Sequence, residues 1–477
     1  MGARETIMDL PGLFQAQQKA FAGDSNPPRQ VRDDRLARLE AMTEKYGKQV
    51  AGAISADFGN RSRQETELAE MFVVLAGIRY ARRKLKKWMR PRKPSTALHF
   101  RPGYVRVLRQ PLGVIGIVSP WNYPYQLAVA PATEALAAGN RAMIKPSELT
   151  PRFSELFQGM VSEFFAPDEV AVVTGDAEVG RRFVSLPFDH LFFTGSTAVG
   201  RMVAQAAAAN LTPVTLELGG KSPAILDESC NLEQVALKLA VGKLLNAGQT
   251  CIAPDYVLLA GGGREREEAL VAALRRAVAR IYPAMAGNAD YTSIVSDRHF
   301  GRLVHLLDDA RAKGARVLEI NPGNEEFDPA RRKMPPHLVL DPADGMSVME
   351  EEIFGPVLPI VRVGGLGEAI HHVNRRARPL ALYWFGTDTG NRDRVLAETI
   401  AGGVTINDTL WHIAQEDLPF GGVGDSGQGS YHGEAGFLTF TKEKPVFFQS
   451  RLNGAALFYP PYGKTFDRML GLLRKLV

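Results

Sequence analysis

At 477 residues, 45% hydrophobic and 23% charged, the chain is too long for one core and has the make-up of an ordinary globular protein of two or three domains. Its net charge is +5 and its pI about 9.0, yet 57 Lys and Arg are scattered among 52 Asp and Glu. There is no aromatic-interleaved basic stripe and no zinc-finger or RNP word, which argues against nucleic acid and for a merely solvated surface. Two cysteines, Cys230 and Cys251, make no disulfide framework and have no metal-ligand spacing around them.

Met1-Gly2-Ala3-Arg4-Glu5-Thr6 has the form of a myristoylation signal, a pattern short enough to arise by chance. No basic-then-apolar secretion pattern opens the chain, so a cytoplasmic location is expected. Residues 28–57 and 63–89 alternate apolar and charged side chains at helical spacing, with a break at Gly59-Asn60. Residues 110–133 carry no charge and could be taken for a membrane span. Pro111, Pro120, Pro124 and Pro131 interrupt them, so a buried strand leading into a loop and helix is expected.

From there short apolar runs alternate with helical segments, the pattern of α/β units on a parallel sheet. Strands are predicted at Gly113–Val118, Ala142–Lys145, Ala171–Thr174, His190–Phe193 and Val214–Leu218. A second series follows at Ala224–Leu226, Tyr256–Ala260, Val317–Ile320, Leu380–Trp384 and Gly403–Ile406. Helices are predicted near 231–246, 264–281, 297–313, 366–376 and 390–399. Arg101–Leu108, Phe437–Phe440 and Val446–Phe448 also read as strand-like. The last fourteen residues form an amphipathic pattern with Phe466, Met469, Leu470, Leu473 and Val477 on one face. Docking on the protein's own body or a partner subunit is expected of it, with a weak membrane-surface contact as the alternative.

The chemistry lies in two Gly-rich words thirty-four positions apart, Leu216-Glu217-Leu218-Gly219-Gly220-Lys221 and Asn246-Ala247-Gly248-Gln249-Thr250-Cys251. They supply a base and a nucleophile, as formation and hydrolysis of an acyl intermediate require. A free thiol near its ordinary pKa of ~8.5 is mostly protonated at neutral pH, so an electropositive setting is expected around Cys251. Gly422-Val423-Gly424-Asp425-Ser426-Gly427 matches a dinucleotide fingerprint but follows no strand-to-helix context. Gly219-Gly220-Lys221-Ser222 lacks the earlier glycine of a Walker A loop, because Thr215 stands there.

These two words, with Pro120-Trp121-Asn122, Phe193-Thr194-Gly195-Ser196 and Glu351-Glu352-Ile353-Phe354-Gly355-Pro356, resemble the aldehyde dehydrogenase superfamily in content and order. Gly248–Tyr256, Leu418–Gly424, Tyr431-His432-Gly433 and Tyr459-Pro460-Pro461-Tyr462 are similar to its class-3-like branch, and within it to bacterial coniferyl-aldehyde dehydrogenases. The resemblance implies an α/β fold of two Rossmann-like domains and a small β oligomerisation arm. An NAD(P)-binding domain would take residues 1–98 and 113–216 and a catalytic domain 217–415. The arm would be 99–112 with 436–450, ahead of a tail at 451–477, and the assembly a homodimer.

By the same resemblance Cys251 is the nucleophile, Glu217 the base that hydrolyses the thioester, and Asn122 the oxyanion donor beside the Cys251 backbone amide. A base at Glu217 implies a free carboxylic acid as product. Gly195 and Ser196 at a helix start would hold the cofactor pyrophosphate. Lys145 and Glu148 would hold the adenosine ribose, the carboxylate disfavouring a 2′-phosphate, so NAD is expected with NADP possible. Glu352 and Phe354 would contact the nicotinamide riboside. Tyr123, Tyr125, Trp411, His412 and Phe420 are candidates for the substrate mouth. An apolar aldehyde is implied, aromatic of coniferyl type or else a medium or long alkyl chain. A silent cofactor-binding protein and a thiol esterase are competing readings, separated from a dehydrogenase by cofactor dependence.

Overall fold

The computed structural model describes residues 9–476. The Met1–Thr6 pattern and Val477 lie outside that range. Two sheets organise the chain, their inner strands buried almost throughout, as expected where helices cover both faces, and the edge strands Gly403–Ile406 and Arg316–Glu319 more open.

The first sheet has six strands in the spatial order Gly427–Gln428, Val214–Glu217, His190–Thr194, Val114–Val118, Arg141–Lys145 and Val170–Val172. The last five are mutually parallel. The chain winds outward from Val114–Val118 first toward Arg141–Lys145 and then, in the other direction, toward His190–Thr194. The loops leaving Val118 and Thr194 therefore diverge and open a crevice at the carboxyl ends of the strands. Pro120-Trp121-Asn122 and Gly195-Ser196 stand on those two loops.

Gly427–Gln428 belongs to the fingerprint-like glycine run, and it pairs antiparallel with Leu216 and Glu217. A Cβ on Gly427 would lie 2.1 Å from the Leu216 carbonyl oxygen, so glycine there permits strand contact and serves no phosphate.

The second sheet has seven strands in the order Gly403–Ile406, Ala381–Phe385, Pro223–Leu226, Tyr256–Ala260, Val357–Val363, His337–Leu340 and Arg316–Glu319. All are parallel except Arg316–Glu319. His337–Leu340 and Val357–Val363 were not predicted. The first is four residues hemmed by prolines, and Pro359 sits inside the second, where a missing N–H normally argues against a strand.

The amino-terminal helices are Leu10–Gly23, Arg29–Phe58 and a run from Arg63 to Trp88 whose middle, Glu67–Phe72, is π-helical. Gly59 ends the second with φ of 83°, which explains the predicted break. Val74, Ile78, Ala81, Leu85 and Trp88 recur at helical spacing and are buried, each large one contributing ~1.5–3 kcal/mol. They help pack helix Gln126–Ala138 in place, and that helix begins four residues after Asn122.

Tyr104–Pro111 and Thr441–Phe448 form a separate two-stranded antiparallel ribbon, from Tyr104 opposite Phe448 to Pro111 opposite Thr441. Phe437–Phe440 is not a strand. Residues Gly433–Thr439 are helical, and Phe437 and Phe440, three apart, both reach the core, Phe437 against Trp88 and Phe440 against Phe192. Helix Lys464–Leu476 turns Phe466 onto Phe458 and Tyr462 just before it. Among the described residues no helix is long and apolar enough to cross a membrane.

Candidate active site

Glu217 is the last residue of its strand, where the Gly195 amide donates to its carbonyl at 3.0 Å. It is buried, and neither carboxylate oxygen has a partner. Burial raises its pKa well above the ordinary carboxylate range.

The Cys251 loop departs from helix Leu232–Leu244 through three successive left-handed residues, Asn246, Ala247 and Gly248, at φ of 53°, 51° and 77°. A Cβ on Gly248 would meet the Gly355 carbonyl oxygen at 2.3 Å, so glycine lets this loop press against the Glu352–Gly355 segment. Gln249 pins the loop from within. Its amide donates to the Asn246 and Ser293 carbonyls and its oxygen accepts from Val295 N–H at 2.9 Å.

Asn122 is buried, and its side-chain amide donates to the Gln249 carbonyl at 3.2 Å, tying the Pro-Trp-Asn turn to the thiol loop. Asn246 Nδ2 returns a bond to the Asn122 carbonyl at 3.0 Å.

Glu352 reaches into the same place from a third loop. Its carboxylate lies so close to Gly219 that a Cβ there would sit 1.9 Å from Oε2, while Oε1 has no partner. Burial and the nearby Asp255 raise its pKa to about 8, opposed by the Gly220 amide, Lys221 and Arg302.

A cleft of about 530 Å³ collects these groups. Asn122, Glu217, Cys251, Glu352, Phe354, Gly195 and Ser196 all line it, together with Trp121 and His299. Trp121 packs edge-on against His299 at 5.0 Å and Phe354 at 5.4 Å, giving an aromatic wall. The expected electropositive setting of the thiol is absent. Burial, then Glu352 and Glu217, push Cys251 up to about 12. In this state it is a protonated thiol beside two carboxyl groups.

Other expectations meet the structure unevenly. Ser196 lines the cleft and caps helix Thr197–Ala208, its hydroxyl accepting from Val199 N–H at 3.4 Å. Lys145 and Glu148 do not line the cleft. Lys145 ends the neighbouring strand, buried, with its ammonium 2.9 Å from the Pro146 carbonyl and 4.0 Å from the half-exposed Glu148 carboxylate. Ser119 N–H donates to the Lys145 carbonyl at 3.1 Å, so this pair stands on the same edge of the sheet as Pro120-Trp121-Asn122.

The proposed mouth residues lie elsewhere. Tyr123 is buried with its hydroxyl on Thr250, Tyr125 is in the core on Thr43, and His412 and Phe420 stack on each other in the interior. Only Trp411 is exposed among the five, and none lines the cleft. Cys230 is half-buried with its sulfur 3.4 Å from Arg266.

Supporting residues escaped sequence reading. Arg61 and Glu70 form a fully buried pair at 2.9 Å. Arg61 also donates to the Asn122 carbonyl, and Glu70 accepts from the Tyr125 and Gln126 amides. Glu65 accepts from the Asn246 amide at 3.2 Å. Arg61, just before the helical run, and Glu65 and Glu70 within it thus brace both the Pro-Trp-Asn turn and the thiol loop. Arg302 holds the Glu352 and Ile353 carbonyls.

A crevice at a topological switch point, with a thiol, an unpartnered carboxyl and the start of helix Thr197–Ala208, suits a dinucleotide-dependent oxidation through a covalent intermediate. Residues 4–446 match the model of the aldehyde dehydrogenase family, and the chain belongs to that family. It is an oxidoreductase acting on aldehydes with NAD(P).

It is 48% identical over 468 residues to a probable coniferyl aldehyde dehydrogenase of Pseudomonas aeruginosa, covering 98% of this chain and 97% of that one. It is 47% identical to the coniferyl aldehyde dehydrogenase of a Pseudomonas species, covering 99% and 98%. A solved structure described as the substrate-bound state of Staphylococcus aureus AldH superposes with a TM-score of 0.91 at 36% identity, over 97% of this chain and 99% of that one.

Proposed function

We propose that the protein oxidises an apolar aromatic aldehyde of coniferyl type to its carboxylic acid, with Cys251 as nucleophile, Glu217 as base, Asn122 as oxyanion donor and NAD as preferred cofactor. The observation that carries this reading is the convergence of thiol, unpartnered carboxyl and amide on one cleft. The substrate class rests on the similarity to the two Pseudomonas enzymes and on the aromatic wall of Trp121, His299 and Phe354.

The residues present fit a dinucleotide. Gly195 and the start of helix Thr197–Ala208 would take the pyrophosphate, Lys145 and Glu148 the adenosine ribose, and Glu352, with its free Oε1, and Phe354 the nicotinamide ribose. When bound, the cofactor supplies the hydride acceptor. Because the resting thiol is held protonated, Cys251 must give up its proton before it attacks, and the ionised form of Glu217, which lines the same cleft without a partner, would take it. The thiolate then adds to the aldehyde carbon. The Asn122 amide and the Cys251 N–H would donate to the oxygen that becomes an alkoxide, each such donor being worth ~3–4 kcal/mol of barrier. Loss of hydride leaves a thioester on Cys251, and Glu217 takes a proton from the water that cleaves it.

Residues before 217, less the arm, would form the cofactor domain and 217–415 the catalytic domain, with the cleft between them. The ribbon of Tyr104–Pro111 and Thr441–Phe448 would complete itself on a second subunit, since two strands alone are marginal and Tyr104 and Phe447 stand exposed.

NADH formation from coniferaldehyde, benzaldehyde, hexanal and dodecanal tests the substrate class. Aryl preference is expected, and a preference for dodecanal would replace it with fatty-aldehyde oxidation.

A further inference from the structure

Oxidising an aldehyde to a carboxylate with NAD and water releases two protons per turnover, and Glu217, on the reading above, receives one of them. With cofactor and substrate filling the cleft, that proton needs another way out. Close enough to Glu217 to share its charge, a set of polar groups lies buried without partners. Both Glu217 oxygens, the Tyr431 hydroxyl, Glu134 Oε2 and His432 Nδ1 have none. Buried polar atoms are rarely left so, and a contiguous set of them marks internal water.

Tyr431 is fully buried in the segment just after the Gly427–Gln428 strand that pairs with Glu217, its ring against Phe192 and Phe420 at 5.0 and 5.8 Å. Its hydroxyl is held protonated by burial and then by the charges of Glu217 and Glu134, in that order, which sets it among those two carboxyls. Glu134 is 5% exposed on helix Gln126–Ala138. Glycine makes room for it, since a Cβ on Gly436 would lie 1.6 Å from Oε2.

Glu134 opens into a pocket of about 70 Å³ shared with Glu416, Gln126, Tyr80, Trp88 and His432. At ~10–15 Å³ apiece, it holds several waters and no aromatic substrate. No Lys or Arg lines it. The titratable groups facing its two carboxyls are Tyr80, His432, Tyr431, Asp417 and Glu217. Glu416 lies at the half-exposed end, and burial with Asp417 sets it to about 7, where it exchanges readily with solvent near neutrality.

We propose that Tyr431, Glu134 and Glu416, the last two facing one pocket that holds water, are the route by which the proton accepted by Glu217 leaves the protein. As water attacks the thioester, its O–H breaks, a C–O bond forms, the C–S bond breaks to release thiolate, and Glu217 gains the proton. Glu217 gives that proton to the Tyr431 oxygen while Tyr431 passes its own through water to Glu134. Glu134 then protonates Glu416 across the pocket, and Glu416 loses it to solvent. One O–H forms for each that breaks, and no charge accumulates.

The test is stopped-flow NADH formation by the full-length enzyme with NAD and benzaldehyde at low buffer, comparing wild type with Glu134→Gln, Tyr431→Phe, Glu416→Gln and Glu217→Gln. Glu134→Gln and Tyr431→Phe should keep the NADH burst and slow the steady state by roughly tenfold to a hundredfold. Added imidazole, a diffusible proton carrier, should restore that rate without affecting wild type. Glu416→Gln, at the pocket mouth, should show a milder form of the same defect. An unchanged steady state in Glu134→Gln and Glu416→Gln, or slowing that imidazole does not relieve, overturns the route. If Glu217→Gln itself keeps its steady state, the base assignment falls instead. If Glu217→Gln is slow and the other variants are normal, only the route falls.

Discussion

Glu217 and Glu352 flank the same thiol from opposite loops, and both raise its pKa, yet they are built differently. Glu352 stands against the Gly220 amide with Lys221 and Arg302 nearby, so its ionised form has cationic and amide support and its pKa comes to rest at about 8. Neither Glu217 oxygen has a hydrogen-bond partner, and burial alone raises its pKa. A carboxyl with no partner is free to take a proton and turn, whereas one held by an amide and cations suits a fixed contact. The same functional group is thereby fitted to two tasks, and the comparison can be broken residue by residue.

The largest effect is expected at the thiol both carboxyls share. Cys251→Ala should lower aldehyde oxidation by at least ~10³-fold while NAD affinity, read by fluorescence quenching, stays within error. Glu217→Gln should next lower steady-state turnover by ~10²–10⁴-fold while leaving the NADH burst. If both carboxyls served one task, Glu352→Gln would do the same; on the proposed reading, in which Glu352 would hold the nicotinamide ribose, it should instead slow the burst itself.

Glu352 also predicts how the unliganded protein responds to pH. Its folded-state pKa, about 8, lies above the ordinary 4.5, so folding favours its protonated form. That contribution is complete below about 4.5 and is lost as pH rises through about 8, at up to ~1.4 kcal/mol per pH unit. Melting temperatures taken across this window should fall with rising pH, and Glu352→Gln should flatten the fall. Equal slopes in both proteins would mean that Glu352 is ionised in the fold.

What sequence made legible was whatever sits in a contiguous word of small residues. Glu217, Asn122 and Gly195 stand at or just past strand ends, and Cys251 and Phe354 in loops from helix to strand. Such tight loops demand the glycines and small residues that make the words recognisable. The supports were hidden because each is a single ordinary residue far away in the chain. Arg61, Glu65 and Glu70 read as the charged side of a helix until the fold buries them beneath Asn122 and Asn246. The thiol's environment was misjudged for a related reason. Motif chemistry argues for positive charge near a nucleophile, but the structure without cofactor holds two carboxyls there. Tyr123, Tyr125 and Phe420 were misplaced because an aromatic beside a motif packs inward as readily as it faces a cleft.

The smallest effect concerns Glu148, which on the proposed reading would meet the adenosine ribose. Unlike Glu217 and Glu352 it is half-exposed, with 48% of its side chain open to water and Lys145 4.0 Å away, so its reach is screened. A carboxylate there accepts from the ribose hydroxyls of NAD and repels the 2′-phosphate of NADP. Glu148→Ala should narrow the affinity gap between the two cofactors by about fivefold, or ~1 kcal/mol, the scale of one exposed charge interaction. The narrowing should shrink further in high salt, whereas the burst and steady-state defects of the buried carboxyl variants should not, since salt does not reach them. Titration of both cofactors into wild type and variant at two ionic strengths measures this directly, and an unchanged ratio would move ribose recognition away from Glu148.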